Sequence, residues 1–123
     1  MRWQPATRAE PIWSVHGYSV VGYNGQVIQS FGDVATEHVF YGEDTKQART
    51  IPKAIWPAVQ RKLSYVHAAT TVADLRVPPG NRLEALKGSF AGRYSIRVND
   101  QYRITFRFDA GHTWEVRCED YHS

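Results

Sequence analysis

NRLEALKGSFAGRYSIRVNDQYRITFRFDAGHTWEVRCEDYH, residues 81–122, decides how this chain is read. Arg93, Ser95 and Arg97 alternate with Tyr94, Ile96 and Val98. Gln101, Arg103, Thr105 and Arg107 alternate with Tyr102, Ile104, Phe106 and Phe108. Successive side chains in a strand point to opposite faces, so both runs read as strands with an apolar back and an arginine front. Guanidinium groups gathered on one face suit a multidentate match to phosphate oxygens, although most charge runs are only solvated surface.

Turn chemistry sets the expected register. A three-residue loop of Asn99, Asp100 and Gln101 pairs Val98 with Tyr102 and keeps apolar residues on one face. By the same reasoning a loop of Asp109, Ala110 and Gly111 pairs Phe108 with His112, and Trp114, Val116 and Cys118 continue the apolar face. A regular strand then places Tyr121 on the arginine face. Asp120 and His122 reach that face only if the strand ends or bulges first.

Upstream, Asp33 caps a short helix carrying Val34, Glu37, His38 and Phe40, closed by Gly42. A second, amphipathic helix lies within Pro52 to Ala69 and presents Ile55, Val59, Leu63 and Val66. Pro57 either starts that helix or kinks it. The VPPGN turn at Val77 to Asn81 leads into a strand near Arg82 to Leu86. The fold class is α+β, an antiparallel sheet packed on two N-terminal helices. Residues 1–26 read as an N-terminal extension and 27–123 as the main domain. Asn24-Gly25 is a hairpin signal, so residues 18–23 are expected to add an antiparallel strand beside Val27 to Phe31.

At 123 residues the chain is one domain with a net charge of +3. From Arg82 to Arg117 seven basic residues face four acids, Glu84, Asp100, Asp109 and Glu115, which bears on partners rather than on fold. A single cysteine, Cys118, rules out an intrachain disulfide and suits a reducing compartment. Neither a signal-peptide core nor a membrane-length apolar run is present, so a cytoplasmic protein with no membrane partner is expected. His16, His38, His67 and His112 show no metal-ligand spacing, so neither a metal nor a cofactor is expected. Glu119, Asp120, Tyr121 and His122 gather an acid, a phenol and an imidazole at the end of the last strand, suited to proton transfer or to no more than a frayed tail. Lys87 and Gly88 sit in a loop that can bring an ammonium and backbone N–H groups to phosphate, or serve as a plain turn.

The blocks PPGNRLEALKG, AGRYSIRVNDQYRITFRF and the terminal EDYH together resemble the HigB branch of the RelE-like toxins, over about Val27 to His122. The resemblance implies a type II toxin-antitoxin toxin: a ribosome-dependent, metal-independent mRNA endoribonuclease that inhibits translation. Its implied partners are the ribosome with its mRNA and a helix-turn-helix HigA-like antitoxin, with operator DNA reached only through that antitoxin. It assigns catalysis to Lys87, Arg103, Asp120, Tyr121 and His122; the arginine face adds Arg93, Arg97 and Arg107 as expected RNA contacts, and Phe90 is expected to stack on a base. Three departures stand out. Glu84 occupies a position where some members carry a functional histidine. Ser89 and Phe90 follow Lys87-Gly88 where an acid and a base are common. A segment precedes Val27, roughly where relatives begin. The alternative is a catalytically weakened toxin acting as a non-catalytic antitoxin- or RNA-binding module.

Overall fold

The structure, a computed structural model, describes residues 28–121. The chain enters along an extended segment, 28–32, and turns into helix α1 (Val34–Phe40). Asp33 caps this helix, its Oδ1 accepting from the Thr36 N–H at 2.8 Å, so one of the orphan donors of the first turn is satisfied. Gly42 closes it with φ of +74°, a backbone angle natural to glycine. Helix α2 (Trp56–Ala68) begins at Trp56-Pro57: the proline occupies the first turn, where its missing N–H costs nothing, and does not kink the helix. A short 3-10 turn, Lys53–Ile55, precedes it.

Four strands follow in the sheet order β1-β2-β3-β4, each antiparallel to its neighbour: β1 (Glu84–Ala85), β2 (Arg93–Arg97), β3 (Tyr102–Asp109) and β4 (His112–Asp120). The apolar back of this sheet packs on the two helices. Val59, Leu63 and Val66 of α2 meet Ile96, Ile104, Phe106 and Val116 in one core, each at most 1% exposed. Ile55 is only partly buried at the edge of that cluster. The anticipated α+β architecture is the one observed. Among the described residues no helix is long and apolar enough to cross a membrane.

Residues 28–32 run parallel to β4 and cover its outer edge. Ile28 bridges Thr113 and Phe31 bridges Val116, with the Gly32 N–H donating to the Val116 carbonyl at 2.7 Å. An edge closed in this way offers no free ladder on that side. The hairpin expected to place 18–23 beside it falls outside the described residues.

The β2–β3 register is the expected one, from Arg93 opposite Arg107 to Arg97 opposite Arg103, with Val98 and Tyr102 closing the loop. The β3–β4 hairpin differs. Asp109 pairs with His112, leaving a two-residue turn of Ala110 (φ +52°) and Gly111 (φ +83°) in place of the three-residue loop. Two positive φ angles in succession match the twist of the flanking strands. A β-bulge then falls opposite the Thr105–Arg107 stretch, with Glu115 at φ +54°. The shorter turn moves Trp114 from the apolar back to the arginine front, where Arg107 lies 5.4 Å over its ring. Thr113 takes the buried place instead, at 2% exposed. After the bulge, Val116 and Cys118 return to the back as anticipated.

Candidate active site

The front of the sheet is a network of paired charges rather than a row of bare guanidinium groups. Arg93 donates to Glu115 twice, at 2.9 Å to its carboxylate and 3.1 Å to its carbonyl. The bulge makes this possible by turning Glu115 back across the sheet, where it also sits 4.0 Å from Arg107. Arg97 pairs with Asp100. At the centre, Arg103 donates from Nε to Ser95 Oγ at 2.8 Å and from Nη2 to the Arg82 carbonyl at 2.6 Å. Glu84 stands 3.7 Å away. Burial lowers the Arg103 pKa, while Glu84 and Tyr121 favour its charged form.

Arg103 is held from behind by a buried polar link. The Lys62 ammonium donates to Asn81 Oδ1 at 2.6 Å, and Asn81 Nδ2 donates to the carbonyls of Leu75 and Val77. Asn81 is fully buried, and each of these interactions satisfies a group that would be costly to leave alone. The following residue, Arg82, takes φ +45° and presents its carbonyl to Arg103. Burial holds Lys62 below its ordinary pKa.

Above this floor lies a cleft of about 300 Å³ lined by Leu86, Phe90, Arg93, Arg117, Glu119 and Tyr121. Phe90 and Tyr121 are its aromatic walls, 59% and 38% exposed. Exposed aromatics beside guanidinium groups are suited to a flat, charged ligand, one by stacking and the other by pairing with anionic oxygens. Arg117 Nη2 donates to the Gly32 carbonyl at 3.0 Å. Its guanidinium lies so close over Gly32 that a Cβ there would sit 2.5 Å from Nε, so any side chain at position 32 would push the guanidinium out of this place.

The residues assigned from sequence are distributed unevenly around this cleft. Phe90, Arg93 and Tyr121 line it, and Arg103 adjoins it as the cross-strand partner of Glu119. Arg107 and Arg97 lie towards opposite ends of the front, engaged with Trp114 and Asp100. Lys87 is exposed, immediately before the turn Gly88–Phe90 that carries Phe90. Asp120 pairs with Tyr102 in the register and so belongs to the opposite face, accepting from Gln101 Nε2 at 3.1 Å. His122 lies outside the described residues. From sequence, Arg117 was passed over and Glu119 was named only within the terminal cluster, with no role of its own, although the alternation that buried Val116 and Cys118 puts both of them on the front.

A short α+β domain with a cation-lined cleft on the exposed face of its sheet defines the class. The particular family follows from comparison: the family described as "RelE-like toxin of type II toxin-antitoxin system HigB" matches residues 29–122, and the chain belongs to it. Toxin HigB-1 of Vibrio cholerae is 51% identical over 72 residues, 58% of this chain and 75% of that protein. Endoribonuclease HigB of Proteus vulgaris is 34% identical over 64 residues, 52% of this chain and 68% of that one. A looser likeness, at 15% identity and a TM-score of 0.42, links 77% of this chain to the whole of a YoeB/ParE toxin from Agrobacterium tumefaciens. As a type II toxin of this family, the protein has a cognate antitoxin.

Proposed function

We propose that this toxin is a ribosome-dependent, metal-independent endoribonuclease that cuts mRNA in the cytoplasm and thereby blocks translation. The observation that carries the reading is the cleft itself, where Arg93 and Arg117 face Phe90 and Tyr121 beside the anchored Arg103. A relative at 34% identity named for endoribonuclease activity supports it. Cleavage without a metal requires three things: the 2′-hydroxyl deprotonated, the phosphorane stabilised and the leaving 5′-oxygen protonated. Arg103 and Lys87 stabilise the phosphorane, while Arg93, Arg97 and Arg107 guide the backbone. Phe90 stacks on a base. His122 protonates the leaving oxygen, Asp120 orients it through the terminal segment, and Tyr121 stacks or relays a proton. The antitoxin that silences the protein is a HigA-like helix-turn-helix protein, which also carries it to operator DNA.

Mapping mRNA ends in a translating extract tests the reading. Attack by a 2′-hydroxyl leaves a 2′,3′-cyclic phosphate and a 5′-hydroxyl, and His122→Ala and Arg103→Ala should each abolish those ends while antitoxin binding persists. Ends bearing a 3′-hydroxyl and a 5′-phosphate would contradict it, as would equal cutting by the variants. Affinity for RNA should also fall steeply with salt, through counterion release.

One observation favours a second reading, a weakened toxin that only binds. Glu84 stands 3.7 Å from Arg103 and offsets the charge the reaction needs. Inducible expression separates the two: growth arrest requires the nuclease, and unimpaired growth with intact antitoxin binding identifies the binding module.

A further inference from the structure

Cleavage by 2′-hydroxyl attack needs a base on the same side as the guanidinium groups, and the described geometry separates the terminal acids. Asp120 pairs with Tyr102 on the opposite face, whereas Glu119 pairs with Arg103 on the front and lines the cleft. Its carboxylate is held in place. Thr105, 1% exposed, donates its hydroxyl to Glu119 Oε2 at 2.5 Å, and Arg93 Nη2 reaches the same hydroxyl oxygen at 3.4 Å. Around it stand Arg93 from β2, Arg103 from β3, and Arg117 and Tyr121 from its own strand.

We infer that Glu119 is a catalytic residue of this site, the general base that takes the proton from the 2′-hydroxyl of the scissile nucleotide. This rests on the nuclease reading above and deepens it. The step balances without any further reactant. The 2′-oxygen gives its proton to the Glu119 carboxylate and forms a bond to phosphorus. The bond from phosphorus to the 5′-oxygen breaks, and that oxygen leaves with a proton from the acid. The products are a 2′,3′-cyclic phosphate and a 5′-hydroxyl, and Glu119 later returns its proton to solvent. Thr105 is a positioning residue: its buried hydroxyl fixes one carboxylate oxygen of Glu119, a residue of the cleft lining, and leaves the other for the substrate. A carboxylate with Arg93, Arg103 and Arg117 around it also places the base next to the cations that hold the phosphate, so one bound nucleotide meets both.

The experiment is single-turnover cutting of mRNA on programmed ribosomes by the full-length protein and its variants. Glu119→Gln preserves shape and a hydrogen-bond partner for Thr105, and should cut on the order of 10²–10⁴-fold more slowly at unchanged half-saturation. Glu119→Ala should regain rate as acetate is added, because the emptied cleft admits a small carboxylate. Thr105→Val should lower the rate at unchanged half-saturation, by less than Glu119→Gln does. Melting temperature and antitoxin binding, measured on the same samples, show that the variants fold. Cutting by Glu119→Gln within threefold of the wild type overturns the assignment and leaves the nuclease reading standing. A loss confined to half-saturation, or no response of Glu119→Ala to acetate, also overturns it and makes Glu119 a binding or structural group. If the wild type itself does not cut, the nuclease reading falls and the base falls with it.

Discussion

The two hairpins of the sheet are built from the same alternation and end up doing different jobs. The β2–β3 hairpin is regular: five consecutive pairs run unbroken from Arg93–Arg107 to Arg97–Arg103. Its loop is controlled by one side chain, Asn99, whose Oδ1 accepts from the N–H groups of Gln101 and Tyr102 at 2.8 and 2.7 Å. The β3–β4 hairpin is irregular at its turn and again at the Glu115 bulge. The regular hairpin supplies a rigid floor, with Ser95 and Thr105 buried beneath the arginines. The irregular one aims groups over that floor: Glu115 towards Arg93, and Arg117, Glu119 and Tyr121 into the cleft. Regularity holds the charges, and the departure from it shapes the site.

Removing the irregularity should have the largest effect on the site. Deleting Glu115 leaves Val116 alone opposite Phe106, so the ladder becomes unbroken while Arg117, Cys118 and Glu119 keep their partners and faces. Arg93 and Arg107 lose the carboxylate they share, and the expected outcome is a cooperative circular dichroism melt with weakened cutting of ribosome-bound mRNA. Loss of cooperative folding would show that β4 cannot pair without its bulge. In the regular hairpin the equivalent control is one side chain. Asn99→Ala should cost about 1–3 kcal/mol in denaturant unfolding, since two backbone donors lose their acceptor at roughly 0.5–1.5 kcal/mol each. No change would mean that the loop holds itself.

Two smaller effects sharpen the contrast. Ala110 sits at φ +52°, where a side chain is strained and glycine is not. Ala110→Gly should therefore stabilise the protein by about 1 kcal/mol; destabilisation would indicate that the turn is not the one described. The smallest effect lies outside both hairpins, where the Ile28 N–H donates to His67 Nδ1 at 3.1 Å and ties the edge segment to α2. Burial lowers the His67 pKa from 6.5, so the folded protein resists a proton that the unfolded chain accepts. This contribution is intact above about pH 6.5 and is lost as pH falls towards the lowered folded value. His67→Gln should flatten that part of a stability-against-pH curve, and an unchanged curve would remove His67 as its source.

Much of this was legible in the sequence because period-two alternation survives local error. The turn at Ala110–Gly111 is one residue shorter than the expected loop, and the Glu115 bulge adds one residue back. The two offsets keep Val116, Cys118 and Tyr121 on their expected faces, slide the register by two, and misplace only 112–114. A bulge leaves no mark in the alternation when a turn compensates for it, so Trp114 was assigned to the wrong face. The pairing of the arginines was also hidden. Glu84, Asp100 and Glu115 reach them through sheet neighbours and turns, and a strand pattern does not encode those reaches. The Lys62–Asn81 link joins a helix to a turn and has no local signature at all. Phe90 and Tyr121 were readable as an exposed loop aromatic and an outward strand end, but not as two walls of one cleft.

The central claim, that RNA is cut in the cleft across the front of the sheet, is tested most directly by those two walls. Both are solvent-exposed, so truncating them should leave the fold alone. Base stacking contributes about 1–3 kcal/mol per base. Cutting of ribosome-bound mRNA by the double variant Phe90→Ala/Tyr121→Ala should therefore fall tenfold or more, with melting temperature and antitoxin binding unchanged. The control Val34→Ala/Val77→Ala, exposed apolar residues outside the cleft lining, should cut like the wild type. Full cutting by the aromatic variant would contradict the claim and put the reaction elsewhere on the protein.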